Sequence, residues 1–348
     1  MKKILAILLA LILVLANVAA LAEEAKYNPS TAFTFKPLPK EYEVIGASDE
    51  ALYPQETLSF TVTAAEDNPD GGDAVITVGA NADNKVAVTG VNGNDLQINV
   101  PAFSLPGLYH FTIKEVEGNT QGVTYNTDTE IGISVLVTFN ADDAAQLEVV
   151  NTADLKNFGI TAKGEGENKE KVEELTNKYE LGSLTVSKEV TGNLGDRNQL
   201  FDIKVTFEAE GDVLSDITVE TESTGTNPAK VAMADWENGT AEVDIQLKHG
   251  ESLTFKDIPA NVTYTVVEDE KHAADDPNGA DGSTGYTVTY DGDEGEIAAG
   301  ETSEASITND KNITIDTGVA LESVPYIMIL AVTMIGAALL VLRKREEY

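Results

Sequence analysis

The chain has 348 residues, 59 acidic and 23 basic side chains, and no cysteine. That length suits about two domains, each able to bury a core without disulfides or a structural metal. The missing cysteine excludes thiolate zinc sites, cysteine nucleophiles and lipid attachment through cysteine, and the acidic excess disfavours nucleic acid and anionic lipid as partners.

The chain opens with Met1-Lys2-Lys3, an apolar run from Ile4 to Leu15, and Ala20-Leu21-Ala22 before Glu23. A basic start, a short apolar stretch and a small-x-small end predict a secretory signal peptide over residues 1–22. Between that leader and residue 319 lie 18 basic and 56 acidic side chains, a net charge of −38, read here as solubility outside the cell.

Short alternating runs then follow one another: Leu58–Val62, Tyr109–Ile113, Ile131–Phe139, Leu184–Val190, Val243–Leu247 and Tyr264–Val267. Thr, Val, Tyr and Phe dominate them, and clusters such as Asp67-Asn68-Pro69-Asp70-Gly71-Gly72 separate them. Many short strands at this spacing predict antiparallel sandwiches, an all-β body rather than a βαβ fold. The Glu- and Lys-rich stretch 166–175 is read as a loop. A boundary near Asn177–Gly182, with almost no linker, predicts two stiffly joined units over residues 23–180 and 181–312.

The units echo each other. The first contains Lys40, then Glu115 at the end of Tyr109-His-Phe-Thr-Ile-Lys-Glu115, then Asn177; the second contains Lys188, then Glu268, then Asn309. Residues two apart on a strand share a face. Lys188 therefore falls with Leu184, Val186 and Val190; Glu268 with Tyr264 and Val266; Asn309 with Ala305 and Ile307. Lys40 falls with Leu38, Tyr42 and Val44, Glu115 with Phe111 and Ile113, and Asn177 with Leu175. Six polar groups thus point where cores should be.

A buried unpaired ammonium or carboxylate costs several kcal/mol, so such groups pair or neutralise. Burial favours neutral lysine beside protonated glutamate. A neutral amine can attack the Cγ of an asparagine amide polarised by a carboxyl, expelling ammonia and leaving a Lys–Asn isopeptide. From parity alone two readings stand: that bond, or an ordinary buried hydrogen-bonded trio.

Histidines His110, His249 and His272 lack metal spacing, and neither G-x-S-x-G nor H-E-x-x-H occurs, so no turnover of an outside substrate, no metal and no cofactor is expected. The acidic turn Asp275–Gly282 lacks the register of an EF-hand loop. At the far end, Pro325 to Leu342 is apolar apart from Thr333, and Arg343-Lys344-Arg345 follow. This predicts a short transmembrane helix over 325–342 with a basic cytoplasmic tail, 343–348.

The segments Pro106-Gly-Leu-Tyr-His-Phe-Thr-Ile-Lys-Glu115, Gly182-Ser-Leu-Thr-Val-Ser-Lys188-Glu-Val-Thr-Gly192, Leu247-Lys-His-Gly-Glu-Ser-Leu253, Val262-Thr-Tyr-Thr-Val-Val-Glu268 and Ile307-Thr-Asn309 resemble the major backbone pilins of Gram-positive bacteria, of the streptococcal T-antigen type. The resemblance implies two tandem Ig-like (CnaB-type) β-sandwiches and a covalently polymerised, wall-anchored surface pilus. It implies bonds Lys188–Asn309, assisted by Glu268, and Lys40–Asn177, assisted by Glu115. Lys36, on the same parity as Lys40, stays open as the first-unit lysine. It also implies a sorting signal over 313–348, with Thr314-Ile315-Asp316-Thr317-Gly318 as its pentapeptide and cleavage by a pilin-type (class C) sortase between Thr317 and Gly318. Asp316 stands where relatives carry proline. The linking lysine would be Lys171 or Lys169, and the partners further copies of the chain, peptidoglycan and a host or neighbouring-cell surface. A non-polymerising wall- or membrane-anchored adhesin or stalk shares every feature except that link.

Overall fold

The computed structural model describes residues 27–49, 52–91, 94–150, 161–162, 174–213, 218–221, 236, 238–269, 285–312, 328–335 and 337. Those residues are mostly strands and turns. The alternating runs lie in strands Thr57–Ala64, Gly107–Val116, Glu130–Phe139, Leu175–Thr191, Thr240–Leu247 and Thr263–Glu268.

In the first unit, Thr57–Ala64, Gly107–Val116 and Glu130–Phe139 are consecutive antiparallel neighbours of one sheet. Alternate residues Ile131, Ile133, Val135 and Val137 are buried, the period-two pattern of a strand with one covered face. They join Leu58, Phe60, Phe111 and Ile113 in a core closed by Leu38, Tyr42, Leu175 and Tyr179 from the other side. Each such side chain contributes about 1.5–3 kcal/mol when fully buried. The closing pair is Lys40–Ile45 running parallel to Leu175–Glu180, in register Lys40 with Leu175 and Tyr42 with Asn177.

The second unit repeats the plan. One sheet orders Thr240–Leu247, Phe201–Glu208, Thr263–Glu268 and Glu294–Glu296. The other places Leu184–Thr191 between Ser252–Pro259 and Thr302–Asp310, the latter parallel to it, with Lys188 beside Ile307 and Val190 beside Asn309. Val205, Phe207 and Val266 from the first of these sheets meet Leu184, Val186, Phe255 and Ile307 from the second in a separate core.

At the expected boundary near Asn177–Gly182 the chain does not leave one strand to begin another: Leu175–Thr191 is one strand of 17 residues serving both cores, and its register shifts at Gly182 as a bulge. An added Cβ at Gly182 would come within 2.3 Å of the Ala298 carbonyl oxygen, so glycine permits the close passage. Side contacts hold the junction. The carboxylate of Asp257, a buried residue with φ of 59°, accepts the Ser48 N–H at 2.6 Å and also the Ser48 hydroxyl. Gln121 donates through Nε2 to the Ala260 carbonyl at 2.8 Å and accepts the Gly211 N–H at 3.0 Å.

Residues 328–335 are helical and exposed, and among the described residues no helix is long and apolar enough to cross a membrane. The leader 1–22, the remainder of the 325–342 span, the tail, Thr317, Gly318, Lys169, Lys171 and His272 lie outside the described residues.

Candidate functional site

Each unit brings its lysine, glutamate and asparagine together inside the core. Lysine and asparagine stand on neighbouring parallel strands, the lysine two residues ahead of the position opposite the asparagine. The glutamate reaches across from the opposing sheet, from the end of strand Gly107–Val116 in one unit and of strand Thr263–Glu268 in the other.

In the first unit Lys40 Nζ lies 3.1 Å from Glu115 Oε2, with the two side chains 0% and 1% exposed. Asn177 Nδ2 donates to Glu115 Oε1 at 2.6 Å. In the second, Lys188 Nζ lies 3.3 Å from Glu268 Oε2, and Asn309 Nδ2 donates to Glu268 Oε1 at 2.6 Å. One carboxyl therefore touches the amine with one oxygen and the amide nitrogen with the other. Such a bridge can take a proton from Nζ and deliver it to Nδ2.

Burial sets the charge state. Desolvation pushes the Lys40 ammonium below its usual range, against the attraction of Glu115. It pushes the Glu115 carboxyl up, against the pull of Lys40 and the Asn177 hydrogen bond. Lys188 is lowered in the same way, opposed by Glu268. Although near, Lys40 Nζ and Glu115 Oε2 are not aligned as a hydrogen bond. In the first unit the neutral pair, Lys40 amine plus Glu115 carboxylic acid, is the state that burial favours.

Lys36, the other first-unit candidate, is exposed and outside the strand, whereas Lys40 is wholly buried. Register decides this: Lys40 begins the strand that pairs with Leu175–Glu180. His110 is exposed against the Ser134 hydroxyl, and His249 Nδ1 accepts the Val190 N–H. Among the described residues no group of His, Cys, Asp or Glu is arranged to hold a metal ion.

Sequence reasoning gave no role to five residues around the first trio. Tyr42 donates to Glu56 Oε1 at 2.5 Å, Tyr125 donates to Glu56 Oε2, Thr120 donates to the same oxygen at 2.8 Å, and the Asn126 N–H donates to Asn177 Oδ1 at 2.9 Å. Tyr42 was visible as a member of the buried face. Glu56 and Asn126 sit at a strand start and in a turn, where no periodicity marks them.

The doubled trio inside tandem β units defines a class: the chain resembles the Gram-positive major backbone pilins of the streptococcal T-antigen type. Residues 26–180 match the family FctA, described as the Spy0128-like isopeptide containing domain, and residues 182–311 match a domain of unknown function, DUF7601. A protein of Streptococcus pyogenes serotype M1 named "Pilin" is 26% identical over 257 residues, which cover 70% of this chain and 69% of that protein. The crystal structure of the major pilin from Streptococcus pyogenes superposes with a TM-score of 0.50 at 22% identity, covering 82% of this chain and 99% of that one, a likeness of fold.

Proposed function

We propose that the chain is the structural subunit of a covalently polymerised, wall-anchored surface pilus, assembled by a sortase and stiffened by two intradomain isopeptide bonds, Lys40–Asn177 and Lys188–Asn309. The observation that carries it is the repeated bridge, one buried glutamate touching both the amine and the amide nitrogen in each unit. The similarity to a streptococcal pilin over both units supports the same reading.

The chemistry follows from the contacts. Neutral Nζ attacks the asparagine Cγ, and the carboxyl polarises the amide and passes the Nζ proton to Nδ2. The Nζ–Cγ bond forms, the Cγ–Nδ2 bond breaks, and ammonia leaves. The amide product is neutral, so the burial cost of an ammonium disappears. The chain performs this step once, on itself, and turns over no outside substrate. Sortase then acylates at Thr317, and Lys171 or Lys169 of another copy resolves the thioester.

The test is an immunoblot of muramidase-released wall extract, boiled in denaturant. A ladder of covalent multimers supports a polymerised pilus. A single band at monomer size makes the chain an anchored adhesin-like stalk and removes Lys169 and Lys171 from consideration.

A further inference from the structure

The two trios are equivalent, but their surroundings are not. The position opposite Asn177 in the parallel pair is Tyr42; the position opposite Asn309 is Val190. Around the first trio the Asn177 amide is held at two points, Nδ2 donating to Glu115 and Oδ1 accepting the Asn126 N–H, and Tyr42 stands next to it across the strand pair. The Tyr42 hydroxyl in turn donates to Glu56, whose other oxygen accepts from Tyr125 and Thr120. In the second unit Nδ2 has its bond to Glu268, Oδ1 is buried without a hydrogen-bond partner, and Lys188 Nζ stands 4.5 Å from the centre of the Phe201 ring.

We infer that Tyr42, anchored by Glu56, is a positioning residue for Lys40–Asn177 bond formation, a device absent from the described residues of the second unit. This rests on the isopeptide reading proposed above. An asparagine amide free to turn about its last torsion presents either oxygen or nitrogen to the bridging carboxyl. Glu115 on Nδ2 and the Asn126 N–H on Oδ1 set one orientation, with nitrogen toward Glu115, and Tyr42, tied by its hydroxyl to Glu56 in the neighbouring register position, keeps the amide there. The proton and bond changes are those already written: Nζ joins Cγ, Nδ2 departs as ammonia, and Tyr42 keeps its own proton on the Glu56 side. The Asn126 N–H also stands where charge develops on Oδ1 during attack.

Glu56 has a second effect. Its negative charge favours the protonated forms of both Lys40 and Glu115, the two titratable groups of the trio. The other ionisable groups facing this cluster are Tyr42 and Tyr125, both bound to Glu56 and raised by burial. Removing the Glu56 charge therefore lowers both members of the reacting pair, and the bell-shaped pH profile for bond formation moves to lower pH.

The experiment uses the full chain, collected unreacted under denaturant and diluted into buffers across a pH series. The two bonds are counted separately over time by mass spectrometry of proteolytic fragments, while circular dichroism follows folding. In Tyr42→Phe the first bond slows about tenfold or more, with the second at the parent rate. In Glu56→Gln the pH profile of the first bond moves to lower pH and that of the second stays in place, which a purely structural role would not produce. A parent-like first-bond rate in folded Tyr42→Phe overturns the inference. Should Tyr42→Phe fail to fold, Glu56→Gln decides, and an unmoved profile overturns it. Absence of both bonds from the parent chain instead defeats the isopeptide reading itself.

Discussion

Tyr42 and Val190 occupy the same register position in their units, each facing the asparagine of its own trio across a parallel strand pair. One is a phenol tied to a carboxylate and the other an aliphatic side chain. The shared frame gives both units a bridging glutamate; the differing residue gives them different control over the amide. Four predictions follow from the frame itself.

The first concerns Glu268. In Glu268→Ala the proton carrier is gone, and Lys188 is left buried near the Ile307 and Glu189 carbonyls without a carboxyl. By intact mass the variant will be one ammonia heavier than its own sequence with both bonds formed. The lost tie closes a loop of about 120 residues, so the chain-entropy cost is about 5 kcal/mol, read as a lower denaturation midpoint and faster proteolysis of the second unit. A variant mass two ammonias below that of its plain sequence would remove Glu268 from the mechanism.

The second separates Lys40 from Lys36. Lys40 is buried against Glu115 and Lys36 is exposed. Lys40→Arg will abolish the first bond, because a guanidinium stays protonated and is no nucleophile. Lys36→Arg will keep it. Peptide mapping that finds Asn177 joined to residue 36 would reverse the assignment.

How much of this was legible beforehand depends on range. Parity put Lys188 with Leu184 and Val190 and Glu268 with Tyr264, because a strand's two faces are written in adjacent residues. The choice between Lys40 and Lys36 was not written there. It depends on the parallel pairing of Lys40–Ile45 with residues more than 130 positions away. The same holds for the junction. A unit boundary with almost no linker was legible near Gly182, but not that a single strand runs through it, which it does because both of its halves find partners. Glu56 escaped notice because a carboxylate beside a turn looks like a solvated one until Tyr42 and Tyr125 are placed on it.

The third prediction is a pH dependence. In Asn177→Ala the first bond cannot form, and Lys40 remains a titrating amine whose folded pKa is lowered by burial. A lysine lowered on folding costs nothing above its unfolded value of about 10.5, where both states are neutral. As pH falls toward and below that value the unfolded chain binds the proton first, so folding loses stability until the folded pKa is passed. The cross-linked parent has no such amine. The stability gap between parent and variant will therefore be smaller near pH 10.5 than at neutral pH, measured by urea midpoints at both. A gap that widens toward alkaline pH would mean that Lys40 is held as a stabilised cation.

The fourth tests the junction. Gly46 has φ of 78°, and a Cβ there would come within 2.1 Å of the Leu181 carbonyl oxygen and 2.9 Å of the Gly300 Cα. That carbonyl accepts the Gly300 N–H at 2.7 Å within the second unit, so Gly46 of the first unit lies directly against the second. Gly46→Ala must push the two apart, in addition to the strain of a positive φ, about 1–3 kcal/mol. Gly71→Ala is the matched control. Its φ is 71° and a Cβ there meets nothing within 4 Å, so it carries the backbone strain without the collision. Residue 46 touches no member of either trio, so Gly46→Ala will retain both bonds by mass. It will broaden the interdomain distance distribution seen by small-angle scattering, and Gly71→Ala will not. Identical scattering from the two variants would show that the junction is held by the Asp257 and Gln121 contacts alone.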